Sequence, residues 1–346
     1  PRREAPASRR RRLLLILGIP LIVAGLLCYP WAWQEYRLQR ARSLLQQRQA
    51  DRALPWIEAA LRHDPDRGAG HFLAARAARL QGRMTKVGDS LQRAWEAGYD
   101  PQRIEREQWL ALAQTGQLDE AEPHRDAMLA DPRGDAAQIC EAFVNGYLRA
   151  YRFQEALRLL DAWQADFPGD PQPHYCRALV WEHLTKRADA VEEYEAVLRI
   201  DPDRTDARVR LADQLASLHQ YEQAGEHYRL CLERNPENLD ARLGYASCLL
   251  EQGYVEQPEQ MFREVLRESP GNLRARIGLG SLALAAGKNE EAVEILQQVV
   301  DEKPTSGGAR YKLASALQAL GRSDEAQEHF EFVSDANKGL ARVRAL

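Results

Sequence analysis

Histidines and their acidic neighbours are the residues of this sequence with the clearest potential for chemistry. The chain has eight histidines, and they lack the arrangement of a catalytic triad or the spacing of paired metal ligands. His183 directly follows Glu182, so a general acid-base or cofactor site at this pair is one hypothesis. The alternative is a solvated histidine with no chemical role. Loss of activity in a folded His183→Ala variant would be needed to support the first.

Other sequence signatures of enzymes are missing. The chain has no glycine-rich phosphate loop, no nucleophile elbow and no HExxH motif. Its five cysteines form no CxxC pair, so we predict small core residues and not a zinc site or a disulfide framework. We therefore predict that the protein is not an enzyme, with no catalytic residue, no cofactor, no metal and no small-molecule substrate.

Composition favours helices and disfavours a nucleic-acid partner. Ala, Leu, Arg, Glu and Gln dominate the 346 residues, and these residue types favour helices over strands. The net charge is −4, and it becomes more negative once the arginine-rich start is set aside. No basic groove for nucleic acid is therefore expected. Arginine far outnumbers lysine, which is typical of a GC-rich, bacterial genome.

An arginine-rich start precedes a long apolar stretch. Residues 13–33 carry no charge and would span about 32 Å as a helix, which is enough to cross a bilayer. Tyr29, Trp31 and Trp33 lie where an interfacial aromatic belt would be. We predict a cytoplasmic tail over residues 1–12 and a transmembrane helix over 13–33. A cleaved signal peptide is the alternative.

The arginines also predict an orientation. Six of them precede the apolar stretch, so the N-terminus is expected in the cytoplasm and the rest of the chain in the periplasm. This predicts a single-pass protein of the bacterial inner membrane. Arg37, Arg40, Arg42 and Arg48 follow the stretch, so a cytoplasm-facing adaptor of reversed topology remains an alternative. An active alkaline-phosphatase fusion at the C-terminus would exclude it.

The rest of the chain repeats itself every 34 residues. Blocks begin at residues 137, 171, 205, 239, 273 and 307, and most of them have small residues at positions 8 and 20, with a large one at position 24. Small residues let two helices approach closely, so each block predicts a helical hairpin. A proline at position 32 would stop the second helix. It recurs at Pro168, Pro202, Pro236, Pro270 and Pro304.

These features resemble the tetratricopeptide repeat (TPR) family. The resemblance implies an all-α, right-handed superhelix of about nine hairpins, preceded here by a single N-terminal transmembrane helix. We predict divergent repeats over residues 34–136, six regular repeats over 137–340 and a C-terminal cap over 341–346. Position 4, where the family favours Trp, carries arginine instead, and we expect these arginines to pair with carboxylates such as Asp206 or Asp240. They are Arg208, Arg242, Arg276 and Arg310.

The resemblance also implies a concave groove lined by the first helix of each hairpin. Its expected partner is a protein or peptide, and its expected role is a membrane-tethered interaction scaffold of an envelope assembly or secretion complex. A non-catalytic subunit of an enzyme complex is an alternative. Packing between neighbouring helices is an equally compatible role for Val209, Leu243 and Ile277. The predicted groove residues are Tyr175, Leu179, His183, Val209, Asp213, Leu243, Ser247, Arg274, Ile277, Ser281, Tyr311 and Ser315.

Overall fold

The computed structural model describes residues 32–344, with side chains for residues 32–335, and this part of the chain is helical throughout. The chain divides within one helix into two units, Pro1–Leu159 and Leu160–Leu346. The helices up to the division are α1 (32–46), α2 (Ala50–His63), α3 (Gly68–Leu80), α4 (Met84–Glu96), α5 (Pro101–Thr115), α6 (Leu118–Ala130), α7 (Ala136–Arg149) and α8 (Phe153–Asp166), which contains it. The second unit continues with α9 (Gln172–His183), α10 (Arg187–Ile200), α11 (Thr205–Ser217), α12 (Tyr221–Arg234), α13 (Leu239–Glu251), α14 (Glu256–Glu268), α15 (Leu273–Ala285), α16 (Asn289–Glu302), α17 (Gly307–Ala319) and α18 (Ser323–Arg344).

The transmembrane part of the predicted fold class is corrected here. Within the described residues, no helix is long and apolar enough to cross a bilayer. Most of these helices have 13 or 14 residues, about 20 Å at 1.5 Å per residue, and they carry charges on one face. The predicted single-pass inner-membrane localisation and the topologies derived from it therefore lack support. The tail over 1–12 and most of the stretch over 13–33 lie outside the described residues.

The predicted hairpin period is confirmed where the blocks are regular. In the second unit α10, α12, α14 and α16 each end two residues before a proline of position 32. Each second helix packs against the first helix of its own block and against the first helix of the next. Pro258 lies in the first turn of α14, where the missing N–H costs little. The hairpin of α13 and α14 is therefore kept.

Small residues at position 8 are explained by the side chain at position 24. Ala178, Ala212 and Ala246 are fully buried. At the corresponding Gly280, an added Cβ would lie 2.7 Å from Leu296 Cγ, a position 24 side chain. That space is already filled, because protein interiors are close-packed.

A left-handed residue ends the first helix of each regular block. Position 15 is glycine at Gly253 and Gly287, but Thr185 takes the same conformation with φ of 56°. Its amide donates to the Glu182 carbonyl at 2.9 Å, and the amide of the following residue donates to the Trp181 carbonyl at 2.9 Å. Glycine adopts this conformation without steric cost, whereas a β-branched residue is strained in it.

Exchanging residues at position 15 should therefore change stability in opposite directions. Thr185→Gly is expected to raise the free energy of unfolding by about 0.5–1 kcal/mol, because the relief of left-handed strain exceeds the entropy cost of glycine. Gly253→Ala is expected to lower it by about 1 kcal/mol. Urea denaturation of the two variants beside the unmodified chain measures both effects. Equal changes of the same sign would contradict this explanation.

The first unit contains a buried ionic cluster that the sequence analysis did not anticipate. Arg79 is 1% exposed and Glu107 is 2% exposed, and Arg79 Nε lies 2.6 Å from Glu107 Oε1. Arg76 is also buried. Its Nη2 contacts Asp135 Oδ1 at 2.8 Å and donates to the Gln138 side chain. The cluster therefore joins α3, α5 and α7 through charged groups inside the core.

Candidate functional site

The first helices of the second unit form a continuous face. Helix α11 contacts α13, α13 contacts α15 and α15 contacts α17, while the second helices pack between them. The predicted groove residues from Val209 onward lie on these four helices, and Tyr175, Leu179 and His183 lie on α9. The face is therefore the surface on which the sequence analysis placed the site.

The predicted groove residues differ in accessibility. Tyr311, Ser247, Arg274 and His183 are exposed, and Leu243 and Ser281 are buried. Leu243 is only 2% exposed and belongs to the core formed with Phe262 and Val265. Its burial favours the alternative role given for it in the sequence analysis, namely packing between neighbouring helices. The remaining residues are partly buried, and they are Tyr175, Leu179, Val209, Asp213, Ile277 and Ser315.

The serines of the groove use their hydroxyls within their own helices. Ser247 Oγ donates to the Leu243 carbonyl at 2.9 Å, and Ser315 Oγ donates to the Tyr311 carbonyl at 3.0 Å. Ser281 does the same with Ile277 at 2.7 Å. Their small size keeps the face open, and their oxygens can still accept a hydrogen bond.

Tyr175 lies in a dense polar cluster instead of projecting freely. The Arg204 guanidinium lies 4.1 Å from the centre of its ring, and Arg210 Nε donates to its hydroxyl at 3.1 Å. Its ring also packs edge to face on Tyr194, with ring centres 5.8 Å apart. Burial raises the pKa of Tyr175, so the side chain is a neutral anchor.

Glu182 is the centre of the same cluster. It accepts hydrogen bonds from Tyr194 at 2.8 Å, from Arg210 at 2.9 Å and from Gln214 at 3.0 Å. An ion-paired carboxylate with three donors is a poor general base. The structure therefore gives no support to acid-base chemistry at Glu182 and His183.

A pocket of about 330 Å³ opens on this face. Helices α11 and α12 provide Asp213, Tyr221 and Tyr228, and Tyr228 donates to Asp213 Oδ1 at 2.5 Å. Further lining comes from α13 and α15. These residues are Gly244, Ser247, Cys248, Glu251 and Arg274.

Glycine keeps the back of this pocket closely packed. A Cβ added at Gly244 would lie 2.3 Å from Tyr228 Cζ, so the tyrosine ring occupies the space where a side chain would be. Tyr228 is buried along most of its length, and its hydroxyl reaches the pocket through Asp213. The absence of a side chain at position 244 therefore sets the position of both residues.

The electrostatics of the pocket are acidic. Burial is the main cause that raises the pKa of Asp213. Burial, with the nearby charges of Asp213 and Glu251, raises the pKa of the Cys248 thiol to about 12. Arg274 Nη1 lies 2.8 Å from Asp240 Oδ1, so part of its charge is compensated. The negative charges of Asp213 and Glu251 therefore dominate the electrostatics of the lining.

Two of the position 4 arginines pair with carboxylates as expected, but the carboxylates are not Asp206 or Asp240. Arg242 contacts Glu268 through both terminal nitrogens, at 2.9 and 2.6 Å. Arg276 contacts Glu302 at 2.9 Å and also donates to the Pro270 carbonyl. Arg208 and Arg310 donate to the carbonyls of prolines at position 32 of the preceding block. The ion pairs with Glu268 and Glu302 join the two helices of one block, whereas the bonds to the proline carbonyls join a block to the one before it.

The predicted groove residues include three of the ten residues that line the pocket, and the residues missed include Tyr221, Tyr228, Cys248 and Glu251. Glu251 lies four residues after the predicted groove residue Ser247 on the same helix, and therefore on the same helix face, so its charge was a usable signal. Tyr228 was recognised only as a packing residue of position 24. Among the described residues, no group of three His, Cys, Asp or Glu side chains is placed to hold a metal ion.

Solved structures of similar fold share little sequence with this chain. A tetratricopeptide repeat protein from Parabacteroides merdae is 20% identical with a TM-score of 0.57, over 69% of this chain and 97% of that one. The human IFIT1 dimer with m7Gppp-AAAA is 16% identical with a TM-score of 0.56, over 88% of this chain and 72% of that one. The APC/C hetero-tetramer Cut9-Hcn1 is 12% identical with a TM-score of 0.58, over 86% of this chain and 59% of that one. These likenesses concern the fold alone.

Family comparison gives the more direct result. No curated protein matches the chain significantly in sequence. Two tetratricopeptide repeat models match it, one over residues 215–257, 256–302 and 283–346 and the other over 38–101 and 142–205. Together they cover more than half of the chain, including blocks before and after the division between the two units. The protein therefore belongs to the tetratricopeptide repeat family, whose fold is a scaffold for binding proteins and peptides.

Proposed function

We propose that the face formed by α11, α13, α15 and α17 binds an extended segment of a partner protein. The pocket on this face, open beside exposed groove residues, is the observation that carries the proposal. Regular extended or helical peptides are commonly held by such a combination of apolar contacts and a few polar groups. The protein would thus act by holding a partner, without chemistry of its own.

Tyr311 is the strongest candidate for an anchor on this face. It is 56% exposed, and its ring packs edge to face on Phe330 with ring centres 5.6 Å apart. The ring is therefore held in position while most of it remains free to contact a partner. Exposed, well-supported tyrosines are frequent hot spots of binding.

Peptide selection with the full chain tests the proposal. Peptides would be selected from a random library displayed on phage, and the affinity of each enriched peptide would be measured by fluorescence anisotropy. Tyr311→Ala is expected to weaken binding at least about 10-fold. Ser247→Trp is expected to abolish it, because the indole would fill the neighbouring pocket.

Tyr254→Ala is the matched control. Tyr254 is 55% exposed but lies in the turn before α14 and does not line the pocket. Its replacement should change affinity by less than about 2-fold. Selection of no peptide, or equal losses in the Tyr254 and Tyr311 variants, would contradict the assignment of the binding face.

A further inference from the structure

The acidic groups of the first-helix face differ in whether a cation is already present. Glu182 pairs with Arg210 at 2.9 Å, and Asp240 pairs with Arg274 at 2.8 Å. Asp206 similarly pairs with Arg204. Among the described residues, Asp213 and Glu251 have no such ion pair, and both line the same pocket. The pocket therefore holds two carboxylates of this face that form no direct ion pair.

The position of the Asp213 carboxylate is unfavourable in free energy, because the group is partly removed from water. It is partly buried at the pocket wall, and its Oδ1 atom accepts a hydrogen bond from the Tyr228 hydroxyl at 2.5 Å. Burying a carboxylate that has no direct ion pair costs free energy, whereas a hydrophobic or amide side chain in its place would carry no buried charge. Groups kept in such positions are frequent at binding sites, where a ligand supplies the missing charge.

The shape and walls of the pocket fit one long side chain. Its volume of about 330 Å³ is at the small end of the range for ligand pockets, roughly 300–1,000 Å³. Tyr221 and the edge of the buried Tyr228 line the pocket beside the carboxylates. Aromatic rings attract a cationic group and also pack against the methylene stem of Lys or Arg.

We propose that this pocket receives a Lys or Arg side chain of the partner segment, whose cation meets Asp213 and Glu251. The inference rests on the proposed binding function of the face and names the chemistry of its ligand. Beyond the pocket, α15 and α17 present apolar and small groove residues, including Ile277, Leu284 and Ser315. The recognised segment therefore combines one basic residue with apolar neighbours.

Arg274 is the opposing charge at the pocket. It would repel an incoming cation, but its ion pair with Asp240 offsets much of its field. The three negative charges of Asp213, Glu251 and Asp240 exceed the one positive charge of Arg274. Arg210, which also acts on Asp213, is occupied by Glu182. The local balance therefore favours a basic ligand over an acidic one.

The composition of selected peptides tests the inference directly. Selection with the unmodified full chain should enrich Lys or Arg at one fixed position, flanked by apolar residues. Selection with an Asp213→Asn, Glu251→Gln double variant should lose that enrichment and keep the apolar positions. A purely apolar consensus would overturn this inference and leave the proposed binding face intact. A consensus rich in Asp or Glu would assign the pocket to an acidic segment and overturn it as well.

Affinity measurements on one enriched peptide separate charge from shape. The double variant should bind the basic peptide at least about 10-fold more weakly than the unmodified chain does. For a peptide with Leu in place of the basic residue, the two proteins should have the same affinity. Arg274→Gln should strengthen binding of the basic peptide, because a repelling charge is removed. Glu290→Gln, an exposed site on α16, is the matched control and should change nothing. Weaker binding in the Arg274 variant would overturn the inference.

Stability of the unbound chain provides a readout independent of any peptide. Asp213→Asn should raise the melting temperature, because the amide oxygen still accepts from Tyr228 while the buried charge is removed. A purely structural role predicts the reverse, namely a lower melting temperature. Gain of stability together with loss of peptide affinity is the combination expected of a site built for a cation. A destabilised Asp213→Asn chain would count against the inference.

Discussion

Glu107→Gln is expected to lower the free energy of unfolding of the first unit by about 3–5 kcal/mol. The substitution keeps the shape of the side chain but removes its charge. Arg79 and Arg76 would then be left inside the core with less compensation, since Arg79 Nε lies 2.6 Å and Arg76 Nε 3.5 Å from the Glu107 carboxylate. An uncompensated buried charge costs far more than the ion pair itself contributes.

The remaining partners in the cluster do not replace this carboxylate. Arg79 also donates to Gln114 at 3.1 Å, and Arg76 keeps Asp135 at 2.8 Å. Asp135 is more exposed than Glu107, so its charge is more strongly screened by water. Glu107 is therefore the group that compensates both guanidinium groups in the interior.

Hydrogen exchange resolved by peptide is the measurement for Glu107→Gln. Loss of protection should be concentrated in α3, α5 and α7, the helices that the cluster joins. Glu105→Gln changes an exposed glutamate of the same helix and should leave protection within about 0.5 kcal/mol of the unmodified chain. Similar exchange in the two variants would mean that the cluster does not support the fold as argued.

Gly146→Ala is the second substitution with a large expected effect, a loss of about 2–3 kcal/mol from overpacking. An added Cβ would lie 2.1 Å from the Ala113 carbonyl oxygen and 2.9 Å from Leu118 Cδ2. The first contact is with backbone, so no side-chain rotation can relieve it. Helices α5 and α7 would have to separate, which weakens packing along both.

Gly225→Ala is the control for this substitution, and we expect it to raise the free energy of unfolding instead of lowering it. Gly225 is also buried within a helix, but an added Cβ would meet Gln252, Tyr245 and Cys248 at 3.6–3.8 Å, which is ordinary contact. Alanine is favoured over glycine in a helix, so a gain of about 0.5–1 kcal/mol is expected. Urea denaturation followed by circular dichroism measures both variants. A loss in Gly225→Ala comparable to that in Gly146→Ala would refute the steric explanation.

Regular helical hairpins could be predicted from the sequence because their causes are local or periodic. Prolines at position 32 stop helices wherever they occur, so the ends of α10, α12, α14 and α16 follow from the sequence alone. Alanines at positions 8 and 20 mark the faces where helices approach closely. The prediction of core cysteines, which followed from the missing CxxC pair, is confirmed for Cys140, Cys176, Cys231 and Cys248.

Ion pairs and the accessibility of groove residues could not be predicted in this way. Leu243 and Tyr311 occupy the same position of their blocks, yet one is 2% exposed and the other 56% exposed. The difference depends on which side chains of the adjoining helices cover that position. Position in the repeat alone does not specify those neighbours.

The sequence by itself determined the family, the repeat period and the face on which a partner is expected to bind. Only the tertiary structure decided that Arg76 and Arg79 share Glu107 in the core and that Asp213 and Glu251 meet in one pocket. The physical reason is the range of the interactions involved. Helix ends and small packing positions depend on residues within one block, whereas the Arg79–Glu107 pair joins side chains 28 positions apart and the pocket combines side chains from four helices.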